Sequence, residues 1–180
     1  VVGDLMADLS SFARGDDPLP DGEWVALLPG SKRAKLSIGV PFLLDTADRL
    51  ARRRPACRFL LPVAPTTNVA ELLRFAGQEN PIAADYGVTV AEVGEGWLVT
   101  AAGTRIELIE RHPAHAALSQ CDLALTTVGA NTAELGALAV PMIVLVPTQH
   151  LEVMQAWDGG LGLLARLPGL RRLIGVLLTL

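Results

Sequence analysis

Aromatic residues are scarce in this chain of 180 residues, which has three tryptophans, four phenylalanines and one tyrosine. Single-strand nucleic-acid binders stack bases on such rings. The formal net charge of −4 also removes the attraction to a phosphate backbone that nucleic-acid binding depends on. No nucleic-acid partner is expected. Charged residues amount to only 19% against 51% hydrophobic ones, which excludes the composition of a disordered chain. Cysteine is nearly absent. Cys57 and Cys121 lie far apart with no CxxC partner, and read as core thiols of a reducing, cytoplasmic compartment. The charge-free apolar stretch 135–149 is interrupted by Pro141 and Pro147 and is shorter than the ~20 residues that span a bilayer. The acidic start VVGDLMADL lacks the basic region of a secretory signal.

Several catalytic signatures are also missing. The sequence contains no GxxxxGK[ST] P-loop, no GxGxxG fingerprint and no GxSxG elbow. It has no DxD pair to hold a divalent ion. His112 and His115 are three residues apart, but no third ligand follows at a metal-binding spacing, so both read as surface or capping histidines. No metal or cofactor is expected.

What remains is aliphatic and regularly punctuated. Trp24 to Leu28, Cys57 to Leu61, Asp122 to Thr126 and Met142 to Val146 are short apolar runs bounded by turn residues, the pattern of buried strands. Trp97 to Thr100 and Arg105 to Ile109 suggest a hairpin. Helical spacing covers 42–54, with Pro41 suited to a first turn and Arg52, Arg53 and Arg54 near the C-terminal end. Asn68 with Glu71 predicts a second helix closed by Gly77. His112 to Gln120 and Asn131 to Ala139 read as helices, as does the stretch from His150 onward with glycine and proline breaks. Residues 1–23 read as a lead-in or interdomain linker and 24–180 as one domain. Strands alternating with helices predict an α/β, Rossmann-like doubly wound parallel sheet. Such a sheet binds ligands at the carboxyl ends of its strands. Attention therefore falls on the loops after Leu28, Leu61, Ile109, Thr126 and Val146.

The first of these reads Pro29-Gly30-Ser31-Lys32-Arg33-Ala34-Lys35 and carries the chain's two lysines. Gly30 permits close backbone approach, Ser31 offers a hydroxyl, and Lys32 and Arg33 offer charge-assisted bonds to phosphate oxygens. The alternative is a solvated basic turn. The loop after Thr126 brings Gly129, Asn131 and Thr132 to a helix start that can face an anion. Glu134, about one turn further, is placed to accept bonds from ribose hydroxyls; otherwise it is a first-turn glutamate favoured by the helix dipole. Pro147-Thr148-Gln149-His150 follows the last strong strand at a ligand-facing position.

Taken together these segments resemble the lipid-A-disaccharide synthase family of GT-B glycosyltransferases. Val2-Gly3-Asp4-Leu5-Met6-Ala7-Asp8 looks like the family's VGxPxxD segment, and Leu27-Leu28-Pro29-Gly30-Ser31-Lys32 like its LLPGSR loop. Residues 127–141, TVGANTAELGALAVP, look like SGTxxLExxxxxxP, and Leu167-Pro168-Gly169-Leu170 like a later LPNLL element. The matches run in order and correspond to the C-terminal, donor-binding half of such an enzyme.

The resemblance implies a UDP-sugar donor of the UDP-GlcNAc type, with Gly30, Ser31, Lys32 and Arg33 near the diphosphate and Glu134 at the ribose. Gln149 resembles, more distantly, a glutamine near the donor sugar in the related lipid II transferase. It also implies inverting, metal-independent transfer to a lipid-linked sugar and peripheral contact with the inner face of the membrane. The catalytic base is expected on an N-terminal domain, so that this chain alone is inactive. Lys32 stands where the family has arginine, exchanging a bidentate fork for a point charge, and Val128 stands where it has serine. A non-catalytic nucleotide-sugar binding module and a UDP-GlcNAc 2-epimerase-like GT-B protein are the alternatives.

Overall fold

A computed structural model describes residues 18–146. The VGD segment, Gln149, His150 and the 167–170 element lie outside the described residues.

Strand β1 (Glu23–Leu28) leads into helix α1 (Arg33–Arg53), and β2 (Cys57–Pro62) follows. Helices α2 (Val69–Ala76) and α3 (Pro81–Tyr86) precede three consecutive strands, β3 (Val90–Gly94), β4 (Trp97–Thr100) and β5 (Arg105–Ile109). Helix α4 (His115–Leu118), β6 (Leu123–Thr127), α5 (Ala130–Ala137) and β7 (Met142–Leu145) complete the described chain. The sheet has the order β3-β4-β5-β2-β1-β6-β7. Pairings β5-β2, β2-β1, β1-β6 and β6-β7 are parallel, the arrangement expected of a Rossmann-like domain. The expected 97–109 hairpin is present, and β3 pairs antiparallel to β4 at the far edge. Strands β2 to β5 are added on one side of β1, as far out as β3, and β6 and β7 on its other side, which places the topological switch point between β1 and β6.

Why the strands are continuous apolar runs follows from burial on two faces. Val25 and Leu27 of β1 pack with Leu36, Val40, Leu43 and Leu44 of α1 and Phe59 and Leu61 of β2. Their neighbours Trp24, Ala26 and Leu28 join the other core, with Leu60, Leu118, Ala124 and Leu135. A one-residue register slip would exchange the two sets of side chains between different packing partners. Cys121 sits in the second core, and burial with the nearby Asp122 charge pushes its thiol up to about 12. Cys57 is only half-buried; its thiol is raised by burial and by the hydrogen bond to Glu23.

Helix α1 departs from expectation. It begins at Arg33 rather than at residue 42, so Pro41 lies inside the helix. Proline there leaves the carbonyl four residues back without its usual N–H donor. That carbonyl belongs to Ser37, and the Asn80 side-chain amide donates to it at 2.7 Å. The same Asn80 nitrogen donates to Phe75 O at 2.7 Å, and its side-chain oxygen accepts from the Ile82 N–H at 3.3 Å. Asn80 is buried, so one side chain repairs α1, ties down the end of α2 and caps α3. The α2 cap is also half as expected. Asn68 accepts from the Glu71 N–H at 2.8 Å, while the Glu71 carboxylate turns to the Thr67 hydroxyl at 3.0 Å.

Replacing Asn80 by alanine is expected to cost about 2 kcal/mol in urea unfolding, because buried carbonyls lose their donor. In a Pro41→Ala background, where residue 41 regains an N–H for Ser37 O, the cost of Asn80→Ala should be smaller; equal costs would refute the repair. Of the two thiols, Cys57 should react with a disulfide reagent at pH 8 in the native state. Cys121 should react only as the protein unfolds.

Candidate functional site

At the carboxyl ends of the parallel strands lies a cleft of about 450 Å³. Its lining comes from four connections: Leu28 to Ser31 after β1, Pro62 to Pro65 after β2, His112 to Ala114 after β5, and Asn131 and Glu134 on α5. Three of the five loops selected from sequence contribute wall residues directly, and the fourth contributes through the helix it starts. The mixed lining, apolar on Pro62, Val63, Pro65 and Pro113 with a few convergent polar groups, is the usual character of a small-molecule site.

The two loops flanking the switch point are bonded to one another. Thr127 Oγ1 donates to Pro29 O at 3.1 Å in a buried setting. Lys35 Nζ donates to Val128 O at 3.0 Å. Gly30 has φ of +102°, a conformation L side chains rarely adopt. Gly39 on α1 makes the approach of helix to loop possible, since a Cβ there would sit 2.5 Å from Pro29 O. Burial and the neighbouring Lys32 charge hold the Lys35 amine below its ordinary value.

Of the residues singled out in sequence, Gly30, Ser31, Asn131 and Glu134 line the cleft. Lys32, Arg33, Gly129 and Thr132 do not line it. Lys32 takes the N-cap position of α1 and its carbonyl accepts from the Lys35 and Leu36 N–H groups. Arg33 turns toward α2, with its guanidinium 2.8 Å from Glu71 and over the Phe75 ring at 6.0 Å. As α1 starts at Arg33, consecutive side chains diverge by about 100°, and only part of the basic run can face the cleft. Gly129 takes the N-cap position of α5. Thr132 Oγ1 donates to Gly129 O at 2.7 Å. Among the described residues no group of three His, Cys, Asp or Glu side chains is placed to hold a metal ion.

Glu134 is not in the first turn of α5, and it has a partner the sequence did not reveal. His115 Nε2 lies 2.8 Å from Glu134 Oε1, with 12% of the histidine side chain and 27% of the glutamate side chain exposed. The expectation of two surface or capping histidines therefore holds for His112, which is exposed, and fails for His115. The chain after β5 turns at His112-Pro113, a cis peptide, and α4 then presents His115 to α5. Lys35 is the second residue underestimated from sequence. Its place in the basic loop was visible, but its bond across to Val128 was not.

A mostly parallel seven-stranded sheet with a cleft at its switch point defines the class: a Rossmann-like α/β domain of the GT-B type. The fold is similar to that of a crystal structure described as a UDP-N-acetylglucosamine 2-epimerase from Listeria monocytogenes. The TM-score is 0.50 and the identity 19%, over 84% of this chain and 37% of that one. In sequence the chain is a relative of the lipid-A-disaccharide synthases. It is 39% identical over 88 residues to that of Pseudomonas fluorescens strain Pf0-1, covering 45% of this chain and 23% of the relative. It is 26% identical over 160 residues to that of Geobacter sulfurreducens, covering 83% of this chain and 35% of the relative. The chain thus spans about a third or less of the length of these curated relatives. No protein-family model matches it. No helix among the described residues is long and apolar enough to cross a membrane.

Gly39→Ala separates packing from propensity at the site. Alanine is favoured over glycine in a helix by about 1 kcal/mol, but here overpacking against Pro29 should reverse the sign and destabilise the protein by about 1–3 kcal/mol. Chemical denaturation decides, and a stabilised variant would show that the loop does not rest on the helix.

Proposed function

We propose that this domain binds the nucleotide-sugar donor of an inverting, metal-independent glycosyltransferase, and that its cleft takes a UDP-sugar of the UDP-GlcNAc type. The observation that carries this reading is the meeting of Gly30, Ser31 and Glu134 in one cleft at the switch point of the sheet. A diphosphate beside Gly30 and Ser31 would be met by backbone N–H groups at the start of α1, which has no side-chain cap of its own. Lys32 and Lys35 add positive potential there, and an arriving anion would offset the burial that lowers the Lys35 amine. Glu134 offers a carboxylate to ribose hydroxyls. The proline-rich wall of residues 62–65 and Pro113 suits the face of a nucleobase.

Relatedness to the lipid-A-disaccharide synthases supports the class of reaction. As the chain spans about a third or less of those relatives, donor binding is the activity we assign to it. A lipid-linked sugar as acceptor, with contact at the inner face of the membrane, belongs to the same reading for the parent enzyme. Charge-assisted bonds contribute about 1.5–3 kcal/mol each, and association costs at least about 4 kcal/mol. Four such bonds of about 2–3 kcal/mol each leave about 4–8 kcal/mol after that cost, which corresponds to millimolar-to-micromolar affinity.

Calorimetry with UDP and UDP-GlcNAc should give dissociation constants in that range, with ADP and NAD about tenfold weaker or more. Equal affinities for uridine and adenine nucleotides would contradict the reading. Glu134→Ala should weaken UDP about tenfold, the scale of one charge-assisted bond, with an unchanged circular dichroism spectrum; unchanged affinity would remove the ribose role.

A further inference from the structure

The His115–Glu134 pair asks for a reason beyond stability. His115 Nε2 reaches Glu134 Oε1 at 2.8 Å. The other ring nitrogen, Nδ1, is buried with no hydrogen-bond partner among the described residues. Burying a polar nitrogen without a partner works against folding, and an apolar side chain on α4 would avoid that penalty. Buried polar atoms left unsatisfied in this way call for an explanation at the site they serve. Here that site is the cleft, because Glu134 lines it and the His112-Pro113-Ala114 turn leading into His115 lines it as well. A carboxylate on a single-bonded side chain samples several orientations; a donor on one oxygen fixes its plane. His115 is mostly buried while Glu134 is the more exposed of the two, which is the order expected when the histidine supports the glutamate from behind.

We infer that His115 is a positioning residue for ligand recognition. Its Nε2–H donates to Oε1 of Glu134 and holds the carboxylate so that Oε2 is presented to vicinal hydroxyls of the bound nucleotide. The pair then sets the discrimination between ribose and deoxyribose ligands, and His115 touches no ligand itself. The inference rests on the reading of Glu134 as the ribose acceptor, and deepens it by naming what aims the acceptor.

The test compares UDP with 2′-deoxy-UDP by calorimetry on the full 180-residue chain. Wild type should prefer UDP about tenfold, the loss expected when one hydrogen bond to a charged group is missing. In His115→Ala that ratio should fall toward one, mainly through weaker UDP binding. His115→Gln, whose amide nitrogen can occupy the position of Nε2, should restore most of the preference. In a Glu134→Ala background, adding His115→Ala should change the ratio no further. A ratio compared within one variant does not depend on how much of the protein is folded. A His115→Ala protein that keeps the wild-type ratio, or loses affinity for both ligands equally, overturns the positioning role while leaving donor binding intact. A wild type that binds UDP and 2′-deoxy-UDP equally overturns the ribose assignment of Glu134, and the positioning role with it.

Discussion

The bond between the two loops at the switch point is the constraint on which the cleft depends. Parallel strands β1 and β6 end side by side, and the chain must leave them in opposite directions because α1 and α5 pack on opposite faces of the sheet. Diverging chains open a crevice. Thr127 to Pro29 and Lys35 to Val128 tie its two sides together. Without these bonds the Gly30-Ser31 backbone and the start of α5 would be two separate loops. With them they form one surface, its shape set by the positive φ of Gly30 and the missing side chain of Gly39.

The remaining walls are stiff for a different reason. Pro62, Pro65 and Pro113 line the cleft, and proline fixes its own φ and restricts the residue before it. The polar side is aimed by side-chain partners instead, as His115 aims Glu134 and Lys35 spans the loops. A cleft that is rigid and apolar on one part of its lining and bonded in place on the other loses little entropy on binding. Such a site suits an amphipathic ligand with a flat ring, hydroxyls and a charged end.

Much of this was legible in the sequence, for physical reasons that differ by element. β1, β2 and β6 are buried along most of their length, so they read as apolar runs with turn residues at their ends; β7 reads the same way, although Ile143 and Val144 are exposed among the described residues. β3 lies at the sheet edge with Val93 exposed, and an edge strand of mixed polarity carries little periodic signal. The start of α1 was misread because Pro41 imitates a helix start. What permits it inside the helix is Asn80, 43 residues from the Ser37 carbonyl it satisfies, and no local pattern reports such a repair. The site divides the same way. Gly30, Ser31, Asn131 and Glu134 stand out in the sequence because strand ends are where such sheets bind, and they line the cleft. The orientation of Arg33 toward Glu71, and the pairing of His115 with Glu134, depend on contacts between separate helices that spacing along the chain does not encode.

The most direct test of the account is a crystal structure of the chain with UDP bound. The account predicts the diphosphate against the backbone of Gly30 and Ser31, and both ribose hydroxyls within hydrogen-bond distance of Glu134 while His115 stays on its Oε1. UDP bound elsewhere on the protein, or bound in the cleft with its ribose turned away from Glu134, would contradict it.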